Sequence, residues 1–290
     1  MASVLNTNMA SISAQRYLTT AQNKLSASFE RLSSGSRINR AQDDAAGMGI
    51  SQKLTASINA TSMAVRNAND AVGVIQTAEG ALAEISTMLQ RFKELSVQGA
   101  NAALSSTQRG FLATEMAGLQ AEITAVAGRT KFNGTQLLDS AGTLTFQTGE
   151  STTDSINVVT VNINSTSGFS QVFALLTSNT FTSSGIQNSS AAATNATTAF
   201  SALATTIDSA IDQIATQRAT FGAQVNRLGH NLNNLSALFE NLSAANSRVV
   251  DTDYANETAN LTKTQILQQA ATAMLSQANS QPNVVLALLK

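Results

Sequence analysis

Residues 200–249 read FSALATTIDSAIDQIATQRATFGAQVNRLGHNLNNLSALFENLSAANSRV, and an apolar residue returns every seventh position: Phe200, Ile207, Ile214, Phe221, Leu228, Leu235, Leu242 and Val249. Ile211, Val225, Leu232 and Phe239 stand four residues after ladder members, giving alternating four-three spacing, while Arg218 and Asn246 interrupt that second series. A sustained 3.5-residue repeat describes a helix packed lengthwise against other helices. Such a helix would be roughly 75 Å long at about 1.5 Å per residue. A compact globule of this length has a diameter of only around 50 Å. The ladder therefore predicts a rod, and rods of this kind are usually parts of assemblies.

Composition narrows the class. The 290 residues are 43% hydrophobic but only 12% charged, with a formal net charge of −1. A soluble domain ordinarily carries about 25% charged residues, so this surface relies on Ser, Thr, Asn and Gln, and its near-neutrality favours self-association. No basic patch points to nucleic acid. Cys and Trp are absent, and His230 and Pro282 are the only residues of their kinds. Disulfides and thiolate metal sites are excluded, and long uninterrupted helices are permitted nearly everywhere. No apolar run is long enough for membrane insertion. The first eight residues lack the basic lead and apolar stretch of a cleaved signal, so composition alone predicts a cytoplasmic protein.

Outward from the ladder, residues 3–33 read as an amphipathic helix ending at Ser33-Ser34-Gly35, where glycine can adopt the left-handed cap. A second helix is expected from near Asp43-Asp44 to about residue 100, with seven-residue steps through Leu54, Thr61, Ala68, Ile75, Leu82 and Leu89. Ile58, Val65 and Val72 complete its early seam, and Ile85 and Phe92 take over after Glu79. A third helix, about 105–128, repeats the pattern at Leu112, Met116, Leu119, Ile123 and Val126. Phe132-Asn133-Gly134 is a turn signal, and 144–147 and 156–163 alternate as half-buried strands do. Polar loop sequence is expected to about residue 198. A break at Asp251-Thr252-Asp253 precedes a last helix, about 255–280, expected to end at Pro282. The fold class expected is mainly α: an elongated rod of long antiparallel helices with coiled-coil packing, a small β-hairpin region, and paired terminal helices. Residues 1–43 with 255–290 form the expected terminal helical core domain. Residues 44–254 form the expected rod domain, with its β/loop segment at about 130–198.

Catalytic chemistry finds no support. One histidine cannot build a multi-His metal centre, and no phosphate-binding glycine motif occurs, so no metal, cofactor or catalytic residue is expected. His230 reads as a helix-surface residue. The paired aspartates at 43–44 and at 251 and 253 read as helix caps rather than an acid–base pair. Triplets such as Asn164-Ser165-Thr166 carry no weight as glycosylation sites in a chain this rich in Asn, Ser and Thr.

Two stretches carry a family resemblance. Arg31-Leu32-Ser33-Ser34-Gly35-Ser36-Arg37-Ile38-Asn39, followed by Asp43-Asp44-Ala45-Ala46-Gly47, resembles the N-terminal signature of bacterial flagellins. Ser247-Arg248-Val249 through Asp253-Tyr254-Ala255, then Ala259-Asn260-Leu261 and Gln265-Ile266-Leu267-Gln268-Gln269-Ala270, resembles their C-terminal signature. The resemblance covers about 1–140 and 195–290. It implies a structural subunit that self-polymerises into the flagellar filament for motility, without the large outer domains that others insert in the middle. It also implies export through the flagellar type III apparatus without signal cleavage, which corrects the cytoplasmic expectation to an extracellular one. The partners it implies are further copies of the chain, an export chaperone, the filament cap, hook-associated proteins and a vertebrate Toll-like receptor. The stretch Gln90–Gln98 resembles the segment that receptor recognises, which by matching position selects Arg91, Leu95 and Gln98 with Glu115, on a face that also serves axial subunit contact. Phe92 departs from the smaller aliphatic or Met usual there. Polymerisation is expected through apolar residues of the terminal helices: Leu5, Ile12, Leu18, Leu25, Leu267, Met274, Leu275, Leu286 and Leu289. Alternatives are a hook–filament junction protein with the same termini, and a cytoplasmic coiled-coil scaffold.

Overall fold

A computed structural model describes residues 7–177 and 192–288. Six α-helices dominate it: α1 (Met9–Ser34), α2 (Ala45–Gly99), α3 (Ser106–Arg129), α4 (Ser167–Thr177), α5 (Ala192–Val250) and α6 (Tyr254–Leu288). Between α3 and α4 lie two antiparallel hairpins, β1 (Lys131–Phe132) with β2 (Thr135–Gln136), and β3 (Gly142–Gln147) with β4 (Ser155–Thr160). The fold is mainly α with a small β-hairpin region, as the sequence predicts. The chain divides into two compact units, residues 60–238 and residues 1–59 with 239–290.

In the 60–238 unit, α2 and α5 run antiparallel. Glu79 faces Arg218, Lys93 faces Asp208, and Gly99 faces Phe200. The ladder residues Phe200, Ile207, Ile214, Phe221, Leu228 and Leu235 are all buried. Each large apolar side chain so placed contributes about 1.5–3 kcal/mol. The second series differs from the sequence reading. Ile211, Val225 and Leu232 are only partly buried, and Phe239, assigned to the other unit, is exposed. The fully buried companions lie three residues after the ladder, at Leu203, Ala210 and Gln224. Helix α2 behaves identically: Ala64, Ala71, Ala78, Ile85 and Phe92 are buried, whereas Val65 and Val72 flank the core. Size is the reason at the alanines: Ala64, Ala71 and Ala210 let helix axes approach closely, so the bulkier Val65, Val72 and Ile211 one position along are displaced to the edge.

The two polar interruptions acquire partners. Arg218 Nε donates to Glu79 Oε1 at 2.7 Å, so the residue that breaks the α5 series pairs with the one that breaks the α2 series. Both side chains are substantially solvated, and such a pair contributes below about 1 kcal/mol. Its value lies in avoiding an unpaired charge beside the core. In the other unit, Asn246 accepts a hydrogen bond from Ser51 Oγ at 3.0 Å.

The α2–α3 corner is built around a buried cation. Ser105 and Gln108 form a reciprocal capping box at the start of α3. Arg109, 2% exposed, donates from Nε to the Gly99 carbonyl at 3.0 Å and from Nη2 to the Asn101 carbonyl at 2.9 Å. It thereby satisfies carbonyl groups that the end of α2 leaves open, and its charge opposes the negative end of the helix dipole.

The Asn133-Gly134 signal is realised as a two-residue hairpin turn, with φ of 47° and 82°. In β4, Ile156, Val158 and Thr160 are buried while Asn157 and Val159 are exposed. The outward carbonyls of Val159 and Asn157 accept from Gln217 Nε2 and Gln224 Nε2 of α5, at 3.3 and 3.2 Å. These amides continue the second seam of α5 and cover an otherwise unpaired strand edge.

Two expectations are corrected. Helix α4 lies where loop was expected; Phe169, Val172 and Leu176 are buried, and Phe169 meets Phe173 edge to face at 6.1 Å. Gly168 permits this helix to approach, since a Cβ there would stand 3.0 Å from the Ala210 backbone nitrogen. Helix α6 does not end at Pro282 but continues to Leu288. A proline removes one hydrogen bond from a helix, and the flanking backbone can remain helical.

Candidate functional site

The antiparallel pair α1–α6 is built on small residues. Ala14, Ala21 and Ser28 are the buried positions of α1, spaced by seven. Among the described side chains of α6, Glu257, Thr264 and Ala278 are buried, with Ala271 partly buried between them on the same spacing. Asn8 Nδ2 donates to the Ala278 carbonyl at 2.7 Å, Ser11 Oγ bonds Asn279 Oδ1 at 2.8 Å, and Arg31 meets Glu257 at 3.8 Å near the other end. Thus the seam that holds the pair together buries little apolar surface.

Many of the large apolar residues face outward instead. Met9 and Met274 are each 66% exposed, Tyr17 is 65%, Ile12 is 52% and Leu267 is 49%. Leu18, Leu25 and Leu275 are half-buried. An open groove of about 570 Å³ runs between the helices, lined by Ala10, Ala14, Tyr17, Leu267, Ala271 and Met274 among others. Among the polymerisation residues expected from sequence, Leu5 and Leu289 lie outside the described residues, as does the side chain of Leu286. A helix pair with small residues inside and large apolar residues outside is an incomplete core, the arrangement of a surface awaiting a partner. Sequence reasoning finds the large residues but misses the small seam, although its seven-residue spacing is legible.

Hydrogen bonds anchor both connections that serve these helices. Gly35 takes φ 72°, caps α1 through its N–H to the Arg31 carbonyl, and accepts from Thr252 N–H at 2.9 Å. Arg37 donates from Nη2 to the Val249 carbonyl at 2.8 Å, placing a cation at the C-terminal end of α5. Asp44 caps α2 by accepting the Gly47 N–H at 2.8 Å, and Asp253 caps α6 by accepting those of Ala255 and Asn256. The cap reading therefore holds for Asp44 and Asp253, whereas Asp43 accepts the Asn39 and Arg40 N–H groups of the loop before α2 and Asp251 forms a β-bridge with Ser36. The Asn256 N–H, and then that of Ala255, hold the Asp253 carboxyl below its ordinary value of 3.8. A depressed carboxyl stabilises the folded state above its unfolded pKa and loses that contribution as pH falls through the folded value. The urea-midpoint difference between wild type and Asp253→Ala, followed by circular dichroism, is therefore expected to be largest at neutral pH and to shrink as pH falls below the ordinary carboxyl value of 3.8.

The second surface lies in the 60–238 unit. Arg91 Nη1 meets Glu94 Oε2 at 3.0 Å and its Nη2 meets Glu115 Oε1 at 2.9 Å, so α2 and α3 present one exposed charged cluster. The Glu94 bond first and the Glu115 bond second raise the Arg91 pKa further. Gln98 is exposed nearby in sequence. Leu95 is placed differently from the expectation: at 1% exposure its side chain belongs to the core, because it follows Phe92 by three on the buried face of α2. His230 is exposed and lines a polar hollow with Arg227, Glu150 and Asp154. Among the described residues no group of three or more His, Cys, Asp or Glu could hold a metal ion. No described helix is long and apolar enough to cross a membrane.

Comparison with known proteins matches residues 5–143 to the bacterial flagellin N-terminal helical region and residues 204–289 to the bacterial flagellin C-terminal helical region. The flagellin of Bacillus subtilis (strain 168) is 40% identical, over 99% of both chains. Polar flagellin F of Vibrio parahaemolyticus is 34% identical over the whole of both chains. That alignment spans 377 positions against the 290 residues here, so the relative carries residues with no counterpart in this chain. A crystal structure of Bacillus cereus flagellin is 31% identical, with a TM-score of 0.46, covering 62% of this chain and 94% of that one.

Proposed function

The chain belongs to the bacterial flagellin family and is a structural subunit of the flagellar filament, not an enzyme, and we propose that its copies polymerise through the paired helices α1 and α6. The observation that carries this reading is the inversion of that pair, with Ala14, Ala21 and Ala278 inside and Ile12, Leu267 and Met274 outside. Residues 1–43 with 255–290 are on this reading the polymer-forming domain, and 44–254 the second domain.

The same apolar exposure supports finer partners. An export chaperone would cover the outward face of α6 while the subunit is unassembled and travels through the flagellar type III apparatus. Cap and hook-associated proteins would present matching helical surfaces at the two ends of the polymer. The cluster of Arg91, Glu115 and Gln98 supports both axial contact between copies and recognition by a vertebrate Toll-like receptor, with Leu95 acting from beneath to hold the α2 backbone in place.

Leu267→Asp tests the polymerisation surface. The side chain is half exposed in the free subunit, so the variant is expected to keep wild-type helicity by circular dichroism. It should yield no sedimenting polymer, because burying an unpaired carboxylate at every subunit contact costs several kcal/mol. Polymer in wild-type yield would contradict the assignment.

A further inference from the structure

With no cysteine and no tryptophan, the chain's most oxidisable groups are the thioethers of its seven methionines. Their exposure is uneven. Met116 is fully buried, whereas Met9 and Met274 are each 66% exposed and Met63 is 47% exposed. Oxidation of methionine follows access, and it turns a flexible apolar side chain into a polar one. Among the described residues the two most exposed methionines therefore stand on α1 and α6, among the outward apolar residues of the inverted pair.

We propose that Met9 and Met274 are oxidation sites at which peroxide-class oxidants arrest assembly of the free subunit, an inference that rests on the α1–α6 pair being the polymer-forming surface. In the step, a sulfur lone pair attacks one peroxide oxygen and the O–O bond breaks as the S–O bond forms. The sulfur loses two electrons, and the peroxide is reduced to water. The new sulfoxide oxygen is a strong acceptor. Around Met274 the groove is lined by Leu267, Ala270 and Ala271, whose side chains carry no donor for it, and by Tyr17 and Gln277, whose side chains do. A contact that covers the thioether at no polar cost must therefore strip the sulfoxide of water, which destabilises the contact unless one of those two donors turns to it. The chemistry is also state-dependent. Once assembly covers these sulfurs, the oxidant loses access, so polymer resists a treatment that disables the subunit.

The test treats subunits with dilute hydrogen peroxide, maps each methionine by peptide mass, and measures the critical concentration for polymerisation by sedimentation. In Met63→Leu protein, where Met9 and Met274 remain the most exposed of the described methionines, conversion of both is expected to raise the critical concentration about tenfold. In the Met9→Leu/Met274→Leu variant, the ratio of treated to untreated critical concentration is expected to stay near one. An unchanged critical concentration with both sulfurs oxidised, or an equal rise in the double variant, overturns the proposal. Preformed polymer separates the oxidation proposal from the surface assignment beneath it. Met9 and Met274 should oxidise far more slowly there than in subunits. If they oxidise equally fast while assembly is still normal, the surface assignment itself falls.

Discussion

Replacing Arg109 by alanine is expected to cost about 3–5 kcal/mol, comparable to breaking other buried charged contacts. The guanidinium is 2% exposed and bonds the Gly99 and Asn101 carbonyls, so its removal orphans the Gly99 acceptor at the end of α2, leaves the Asn101 carbonyl with only the Leu104 N–H, and opens a void beneath the corner. Each orphaned buried acceptor costs about 1–3 kcal/mol. Arg109→Lys should recover only part of the loss, since a single ammonium cannot reproduce the planar fork that reaches both carbonyls. Urea titration followed by circular dichroism measures the difference. A midpoint within error of wild type for the alanine variant would show that the corner does not depend on this cation.

The second large effect is expected at Gly99. A Cβ built there would stand 2.4 Å from Cδ1 of Phe200, well inside van der Waals contact. Phe200 is fully buried, so its ring has no solvent to swing into. Gly99→Val should therefore destabilise the 60–238 unit by about 3 kcal/mol, the upper end for overpacking a core. Phe200→Leu removes the clashing ring edge at its own cost. In the double variant the two penalties should not add: the combined loss should fall short of their sum by about 1 kcal/mol or more. Strict additivity, read from the same urea titrations, would mean that the two residues are not in contact.

Both sites illustrate what a sequence does and does not disclose. The seven-residue ladder was legible because Phe200, Ile207 and Ile214 are large, and large apolar residues recurring on a 3.5-residue period fit a helix seam and not a strand or a loop. The hairpin turn was legible from Asn133-Gly134, whose positive φ angles suit those two residue types. The second seam was misplaced by one residue in α2, and at Ala210 of α5, for a common reason. Val65 and Val72 outrank Ala64 and Ala71 in hydrophobicity, but a close helix contact selects the smaller side chain. The small seam of α1 and α6 escaped notice for the same reason. Helix α4 was obscured because Gly, Ser, Thr and Asn dominate the segment around it, and Gly168 at its start marks close approach to Ala210. Arg218 and Asn246 made sense only once their partners, Glu79 and Ser51, were placed opposite them. Long-range pairing of that kind leaves no local trace in the sequence.

That distinction matters for function. Small residues inside the α1–α6 pair and large ones outside make it a poor core for one subunit and a good interface for many. The direct test compares the full chain with a variant lacking residues 255–290 under identical assembly conditions, each seeded with sheared polymer and imaged by electron microscopy. Removal of α6 deletes one half of the inverted pair and leaves residues 60–238 intact, so circular dichroism should still report a largely helical protein. The full chain is expected to extend the seeds into filaments, and the truncated protein to add nothing to them. Filaments of normal length and appearance grown from the truncated protein would contradict the assignment of polymerisation to this helix pair.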